Sequence, residues 1–271
     1  MRMYEAPEGF IYYNGITKAK IIYASENIPD EWALIDTNKH EIIEGIEDEL
    51  SQELWDSIQQ NGDRRDYSYA FCNTAYVNLC PKYPILAENV MYAFMGCNKL
   101  KDISNVLINI TSERPNMMYA CANCNNMTKA PIFNFLNAPI VKTYTSMYTA
   151  CYSLASVNVY WGDGSADAVT QRNACQNMFF KCWSLTDIDF GNEETGSPTG
   201  LDLSYARGLT IASVQSLLSS LKTIPSEISG KYEITLATET VDYLTANNPE
   251  ILEGFTTKRW TIIPKTRESE E

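Results

Sequence analysis

The stretch MYTACYSL (147–154) returns three more times in altered form. It reappears downstream as MFFKCWSL (178–185) and upstream as MYACANCNNM (118–127) and MYAFMGCNKL (91–100). Each copy has a cysteine three residues before a Leu or Met. Four readings of that cysteine compete: a metal ligand, a redox thiol, half of a disulfide, or a small apolar residue in a repeating architecture.

The spacing favours architecture. The interval from Cys97 to Cys124 equals that from Cys124 to Cys151, and Cys182 follows after a slightly longer one. The same frame follows each cysteine: Leu100-x-x-Ile103, Met127-x-x-Ala130-x-Ile132, Leu154-x-x-Val157-x-Val159 and Leu185-x-x-Ile188-x-Phe190. An apolar residue, two spacers and then alternation is what a short strand needs to turn one face inward. One such unit cannot bury its apolar face alone. A period in the twenties therefore predicts stacked units whose strands form a parallel sheet. Cysteine is small and among the most buried residue types, which suits a crowded inner turn repeated at about 5 Å intervals. Free, buried thiols are expected. A degenerate earlier copy is expected around Cys72, which precedes Cys97 by a similar interval.

The flanks read differently. In GFIYYNGITKAKIIYA (9–24), Asn14-Gly15 supplies the positive φ angles of a tight hairpin, and IPDEWALIDTNKHEII (28–43) adds two short strands. Ile46, Leu50, Leu54 and Ile58 recur every four residues, one apolar helix face that stops near Gly62. Residues 1–62 are expected to form a small α+β module. At the other end, Val214, Leu217, Leu218 and Leu221 sit at amphipathic helix spacing behind Thr210 as N-cap. KYEITLA (231–237) reads as a strand. Asn248-Pro249 opens another helix, and RWTIIP (259–264) is a last strand. Residues 201–271 are thus expected to cap the repeats of 63–200 and to end in an acidic tail.

Composition excludes several chemistries. The 271 residues carry a net charge of −13, which repels phosphate backbones, so nucleic acid is not an expected partner. No apolar run is long enough to cross a membrane, and MRMYEAPEGFIYYNG has no apolar signal-peptide core. The single histidine, His40, has no motif around it, so neither a Ser-His-Asp nor a Cys-His arrangement is expected. Cys121-x-x-Cys124 would be half a zinc knuckle, but no second pair completes it. Asp163 and Asp167 lack the alternating Asp pattern of a calcium loop; VYWGDGSADA (159–168) reads instead as an exposed turn that explains the longer third gap. No catalytic, cofactor-binding or metal residue is expected. Tyr144, Tyr160, Trp161 and Asp163 are the expected surface contacts, with Tyr76 and Tyr83 also on an outer face. Tyr92, Tyr119, Tyr148 and Phe179 are expected to pack the core.

The units NVMYAFMGCNKLKDI, TSMYTACYSLASVNV and QNMFFKCWSLTDIDF resemble BspA-like leucine-rich repeats, and GLTIASVQSLLSSL…ITLA…GFTTKRWTII is similar to the segment that closes such arrays. The resemblance covers about residues 67–263 and departs in its longer coils and in Asn105 at an apolar position. It implies an α/β fold: a leucine-rich-repeat solenoid with a parallel sheet, a C-terminal α/β cap and the small N-terminal module. It further implies display and adhesion without enzymatic activity. The leading expectation is a virion structural protein of a phage, a fibre or decoration component made in a reducing cytoplasm. It would meet other virion proteins through the N-terminal module and a host surface protein or glycan through the repeats. A homotrimer is one assembly open to it, although no heptad run demands one. The alternatives are a secreted or surface-anchored bacterial adhesin and, in another class, an acidic enzyme with Cys or carboxylate chemistry.

Overall fold

The computed structural model describes the backbone of residues 2–5, 21–24 and 33–34, and residues 67–73, 85–136, 138, 140–162, 172–191 and 193–268 in full. The chain is mixed α/β, with short, mostly parallel strands in small sheets and three helices near the C-terminus. At the start, β1 (Arg2–Glu5) pairs antiparallel with β2 (Ile21–Ala24) and β3 (Ala33–Leu34). The Asn14-Gly15 turn, His40, the helix expected over 46–58 and the boundary at 62 lie outside the described residues.

From residue 67 the chain makes successive passes that hydrogen-bond to one another in parallel. β4 (Ile85–Ala87), β5 (Leu107–Ile110) and β6 (Ile132–Phe135) form one sheet, with Ile85 opposite Ile108 and Ile108 opposite Phe133. β7 (Ser156–Asn158) pairs with β9 (Asp187–Asp189), and single bridges extend that ladder through Lys129 to Asp102. A third ladder joins β8 (Asn173–Ala174) to β10 (Pro198–Thr199) and reaches through Thr143 to Asn116. The expectation of a strand directly after each Leu or Met holds only for the later passes. After Leu100 the Asp102 carboxylate accepts from the Ser104 N–H and hydroxyl, which turns the chain early. After Met127, Pro131 has no N–H to donate and interrupts the ladder. The regular strands β5 and β6 follow those breaks. The reset also reverses the facing of Ile132, which is exposed, while Phe135 is buried.

Each pass contains a tight double turn, at residues 67–73, 90–96, 117–123, 144–150 and 175–181. Its N–H groups alternate in direction. The Ala93 N–H donates back to Val90 O, Phe94 donates across to Ala120 O, Met95 back to Tyr92 O and Gly96 across to Ala122 O. At 117–123 and 144–150 each N–H of the turn has a partner in its own pass or the next, which ties neighbouring passes together. Two left-handed residues recur four apart in each pass: Tyr69 and Asn73, Tyr92 and Gly96, Tyr119 and Asn123, Ser146 and Ala150, Asn177 and Lys181. A Cβ on Gly96 would fall 2.1 Å from Asn73 Oδ1, so the Asn73 side chain would have to swing aside to admit one.

This backbone alignment puts like residues in inward columns. Tyr67, Val90, Met117, Tyr144 and Cys175 share one column, and Phe71, Phe94, Cys121, Tyr148 and Phe179 share another; all are buried. The cysteines Cys97, Cys124, Cys151 and Cys182 and the apolar residues Leu100, Met127, Leu154 and Leu185 form two more, all fully buried. The first pass aligns Phe71 with Phe94 through the Phe71 N–H to Ala93 O bond and a ring stack at 5.0 Å. That register corrects the expected earlier copy: Cys72 matches Met95, not Cys97.

The turn pattern runs one pass further than the sequence frame suggested. Cys182 donates to Phe179 O and Leu185 to Cys182 O; in the same way Ala206 donates to Leu203 O and Leu209 to Ala206 O. LSYARGL (203–209) is therefore another copy, with Ala206 in the cysteine place. Helix α1 (Ile211–Ser220) then closes the β7–β9 ladder. Thr210 caps it as expected, and its hydroxyls Ser213 Oγ and Ser216 Oγ accept from the free-edge N–H groups of Ile188 and Phe190, each at 2.8 Å. β11 (Asp202–Leu203), β12 (Glu233–Ala237) and β13 (Thr261–Lys265) form a parallel sheet, joined by α2 (Thr238–Asn247) and α3 (Pro249–Thr257). Helix α2 was not anticipated from the sequence.

Candidate contact surface

The cysteine column does something more specific than fill space. Cys97 Sγ–H donates to Phe71 O at 2.7 Å, Cys124 to Phe94 O at 2.9 Å, Cys151 to Cys121 O at 2.9 Å and Cys182 to Tyr148 O at 3.0 Å. Each acceptor is the carbonyl three places before the column position of the preceding pass. Phe94 O and Tyr148 O already accept an N–H within their own turn, so the thiol uses the second lone pair. A small apolar side chain with one weak donor is what the position selects.

Burial pushes the thiols of Cys121, Cys151, Cys175 and Cys182 up, Cys182 to about 12, and that of Cys72 to about 11. A thiol held protonated is a poor nucleophile and a poor metal ligand. The seven described cysteines are all buried. Among the described residues no three His, Cys, Asp or Glu side chains converge as a metal-holding group, and no helix is long and apolar enough to cross a membrane. Cys121 is not an incidental neighbour of Cys124. It takes the aromatic column's place between Phe94 and Tyr148, and the Tyr148 hydroxyl is buried there without a hydrogen-bond partner.

Two of the four expected contact residues are core. Tyr144 is 2 % exposed because it falls in the inward column with Val90 and Met117. Trp161 is 1 % exposed; its ring stacks on Phe190 at 5.5 Å, meets the edge of Tyr144, and its Nε1–H donates to Ser220 Oγ at 3.0 Å. Trp161 is thus pinned beneath α1 rather than open to a partner. Tyr160 is half-buried and stacks on Phe135 at 5.1 Å. Asp163, Tyr76 and Tyr83 lie outside the described residues.

A row of aromatics partly open to solvent lies elsewhere. Tyr69, Tyr92 and Tyr119 occupy the first left-handed position of three successive turns, five residues before the cysteine column position. Their rings stack at 4.7 and 5.1 Å, within 9° of parallel. Tyr69 is 41 % exposed and the other two are half-buried, so Tyr92 and Tyr119 are not core residues as the sequence suggested. The left-handed backbone aims these side chains outward. Stacking uses their faces and leaves ring edges and hydroxyls in a row. The column continues as Ser146 and Asn177, so the aromatic part is confined to the first three passes.

A second aromatic cluster, built around the buried Tyr205 with Phe180 and Trp183 half-buried against it, closes the last passes. Phe180 and Trp183 meet Tyr205 edge-on at 5.0 and 4.8 Å. Arg267 lies over Tyr205 at 4.3 Å, and Arg207 over Trp183 at 5.4 Å. Trp, Tyr and Arg on a rigid support are the side chains that carry most binding energy at protein surfaces. The fixed offset of Tyr92 and Tyr119 from the column was visible in the sequence; Tyr69 needed the register of the first pass, and the outward direction needed the left-handed φ angles.

No family model, curated protein or solved structure matches this chain.

Proposed function

We propose that the passes are coils of a leucine-rich-repeat solenoid of the BspA-like kind, and that the chain is a non-enzymatic structural component of a phage particle that displays this array for adhesion or receptor binding. The observation that carries the reading is the tyrosine ladder. Three aromatic side chains are held outward, in register, on a backbone whose buried turns are hydrogen-bonded from pass to pass. Ordering cost is prepaid by the fold, so contact energy is retained on binding. The thiol column supports production in a reducing compartment, because each thiol serves as a hydrogen-bond donor and would lose that role in a disulfide.

In this reading residues 1–62 join the chain to other virion proteins, with a homotrimer as the assembly to test by light scattering. The repeats face a host protein or glycan. Antibody labelling and mass spectrometry of purified particles test the location; finding the chain only in the cell envelope favours the surface-anchored adhesin instead. Replacing Tyr69, Tyr92 and Tyr119 together by Ser tests the surface. Adhesion of the purified chain to host cells should fall at least about tenfold, the loss of roughly 1.4 kcal/mol. Unchanged adhesion removes the ladder from the function.

A further inference from the structure

A pocket of about 300 Å³ opens beside β10, between residues 198–202 and the start of β12. That volume is at the lower end for small-molecule sites and suits one compact ligand. Its charges are unevenly answered. Asp202 is bound by Arg267 at 2.8 Å and Lys265 at 3.3 Å, and Glu233 is paired with Lys231 at 3.8 Å. Arg172 has no carboxylate in ion-pair reach among the described residues.

The Arg172 guanidinium is nevertheless held in place. It lies on the Tyr232 ring, 4.4 Å from the centroid. Tyr232 in turn is braced edge-on by Trp260 at 5.5 Å. Gly230 makes the room. A Cβ on Gly230 would sit 3.2 Å from Arg172 Nη2. The Gly230 backbone also has a positive φ that disfavours any other residue there. A guanidinium with one face covered and its edge open presents a planar fork of donors, the geometry that takes a carboxylate in two parallel hydrogen bonds. Around it, the hydroxyl-bearing Thr199 and Thr235 and the carboxylate of Glu233 supply partners for ligand hydroxyls. One fixed cation among several hydroxyl-matching groups fits a ring that carries both a carboxylate and hydroxyls.

We propose that this pocket binds a sugar acid, a pyranose bearing a carboxylate, with Arg172 receiving the carboxylate. For its biological use this rests on the display reading, since such rings occur in surface glycans. The binding itself is measured on the purified full chain, so its failure leaves the particle assignment standing, and failure of that assignment leaves the binding standing.

The test is calorimetry and backbone-amide NMR with glucuronate and N-acetylneuraminate, against glucose and inorganic phosphate. At least one sugar acid should bind saturably and about tenfold or more tighter than either comparison ligand, with amide shifts confined to 172–174, 198–202 and 230–235. Arg172→Gln should abolish that preference, and Arg172→Lys, which keeps the charge but loses the fork, should fall between. Thermal melts of both variants check that they are folded; should either fail to fold, the location of the wild-type shifts decides. No saturable binding of either sugar acid, equal binding of phosphate, amide shifts elsewhere, or a folded Arg172→Gln that keeps full affinity each overturns the proposal.

Discussion

Replacing Cys151 separates two accounts of the cysteine column. If the position wants only a small apolar side chain, Ala should serve nearly as well as Cys, and better than Ser. If it wants a donor, Ser should be better than Ala. Cys151 is fully buried, and its Sγ is 2.9 Å from Cys121 O. Cys151→Ala removes a buried group about the size of a methylene, worth about 0.8 kcal/mol. It also removes a hydrogen bond worth about 1 kcal/mol net, and the cavity left behind adds a fraction more. Together these come to about 2 kcal/mol. Cys151→Ser keeps the donor and loses mainly apolar contact, about 1 kcal/mol. Cys151→Val loses the donor and pushes a methyl group toward the carbonyl, about 3 kcal/mol. At roughly 2–4 °C per kcal/mol for a domain of this size, melting in reducing buffer should fall by about 2–4 °C for Ser, 4–8 °C for Ala and more for Val. Urea midpoints should follow the same order. An Ala variant that melts at or above the Ser variant refutes the donor role and leaves size as the whole explanation.

Other consequences are equally open to measurement. The Tyr148 hydroxyl is buried with no partner, in a column that elsewhere holds Phe71, Phe94 and Phe179; Tyr148→Phe should raise stability by about 1 kcal/mol, read as a higher urea midpoint. Thiol pKa values raised by folding mean that the folded state favours the protonated form. Their stabilisation is complete below the ordinary value of 9 and lost as pH rises through about 11 for Cys72 and 12 for Cys182, so melting should hold steady to about pH 8.5 and drop above 9. In the same mildly alkaline buffer, thiol reagents should label the unfolded chain far faster than the native one. Asp102 is held down at about 2, first by the Ser104 hydroxyl, then by Lys129 and the Ser104 N–H. Its stabilising contacts are present above its ordinary value of 3.8 and lost as pH falls through 2, and Ser104→Ala should raise its NMR titration midpoint more than Lys129→Gln does.

Periodicity made the passes legible. The cysteine spacing, the apolar residue three places on and the first and last C-terminal helices follow from residue type at fixed intervals, and Thr210 and Asn248-Pro249 fall where helix entry requires them. Direction was harder to read. Tyr144 and Tyr92 look alike in sequence, yet Tyr144 precedes its cysteine by seven residues and points inward, while Tyr92 precedes its own by five and points outward. The two left-handed residues in each turn break the simple alternation on which inward and outward assignments rely. Trp161 was misplaced for a related reason. A glycine-rich turn beside an aromatic suggests exposure, but the residue that covers it, Ser220, is 59 positions away. The copy at 203–209 escaped notice because its column residue is Ala206, small and apolar like cysteine but without the thiol that marks the other copies.

The central claim is the parallel register between passes, and backbone NMR distances on perdeuterated protein test it most directly. Three amides in equivalent places each donate to the next pass: Phe94 to Ala120 O, Cys121 to Met147 O and Tyr148 to Met178 O. The account requires short inter-residue proton contacts linking Phe94 with 120–121, Cys121 with 147–148 and Tyr148 with 178–179, all three in one spectrum. Finding those amides protected but in contact with residues at other, unrelated separations would contradict the stacked arrangement, and with it the column and the ladder it builds.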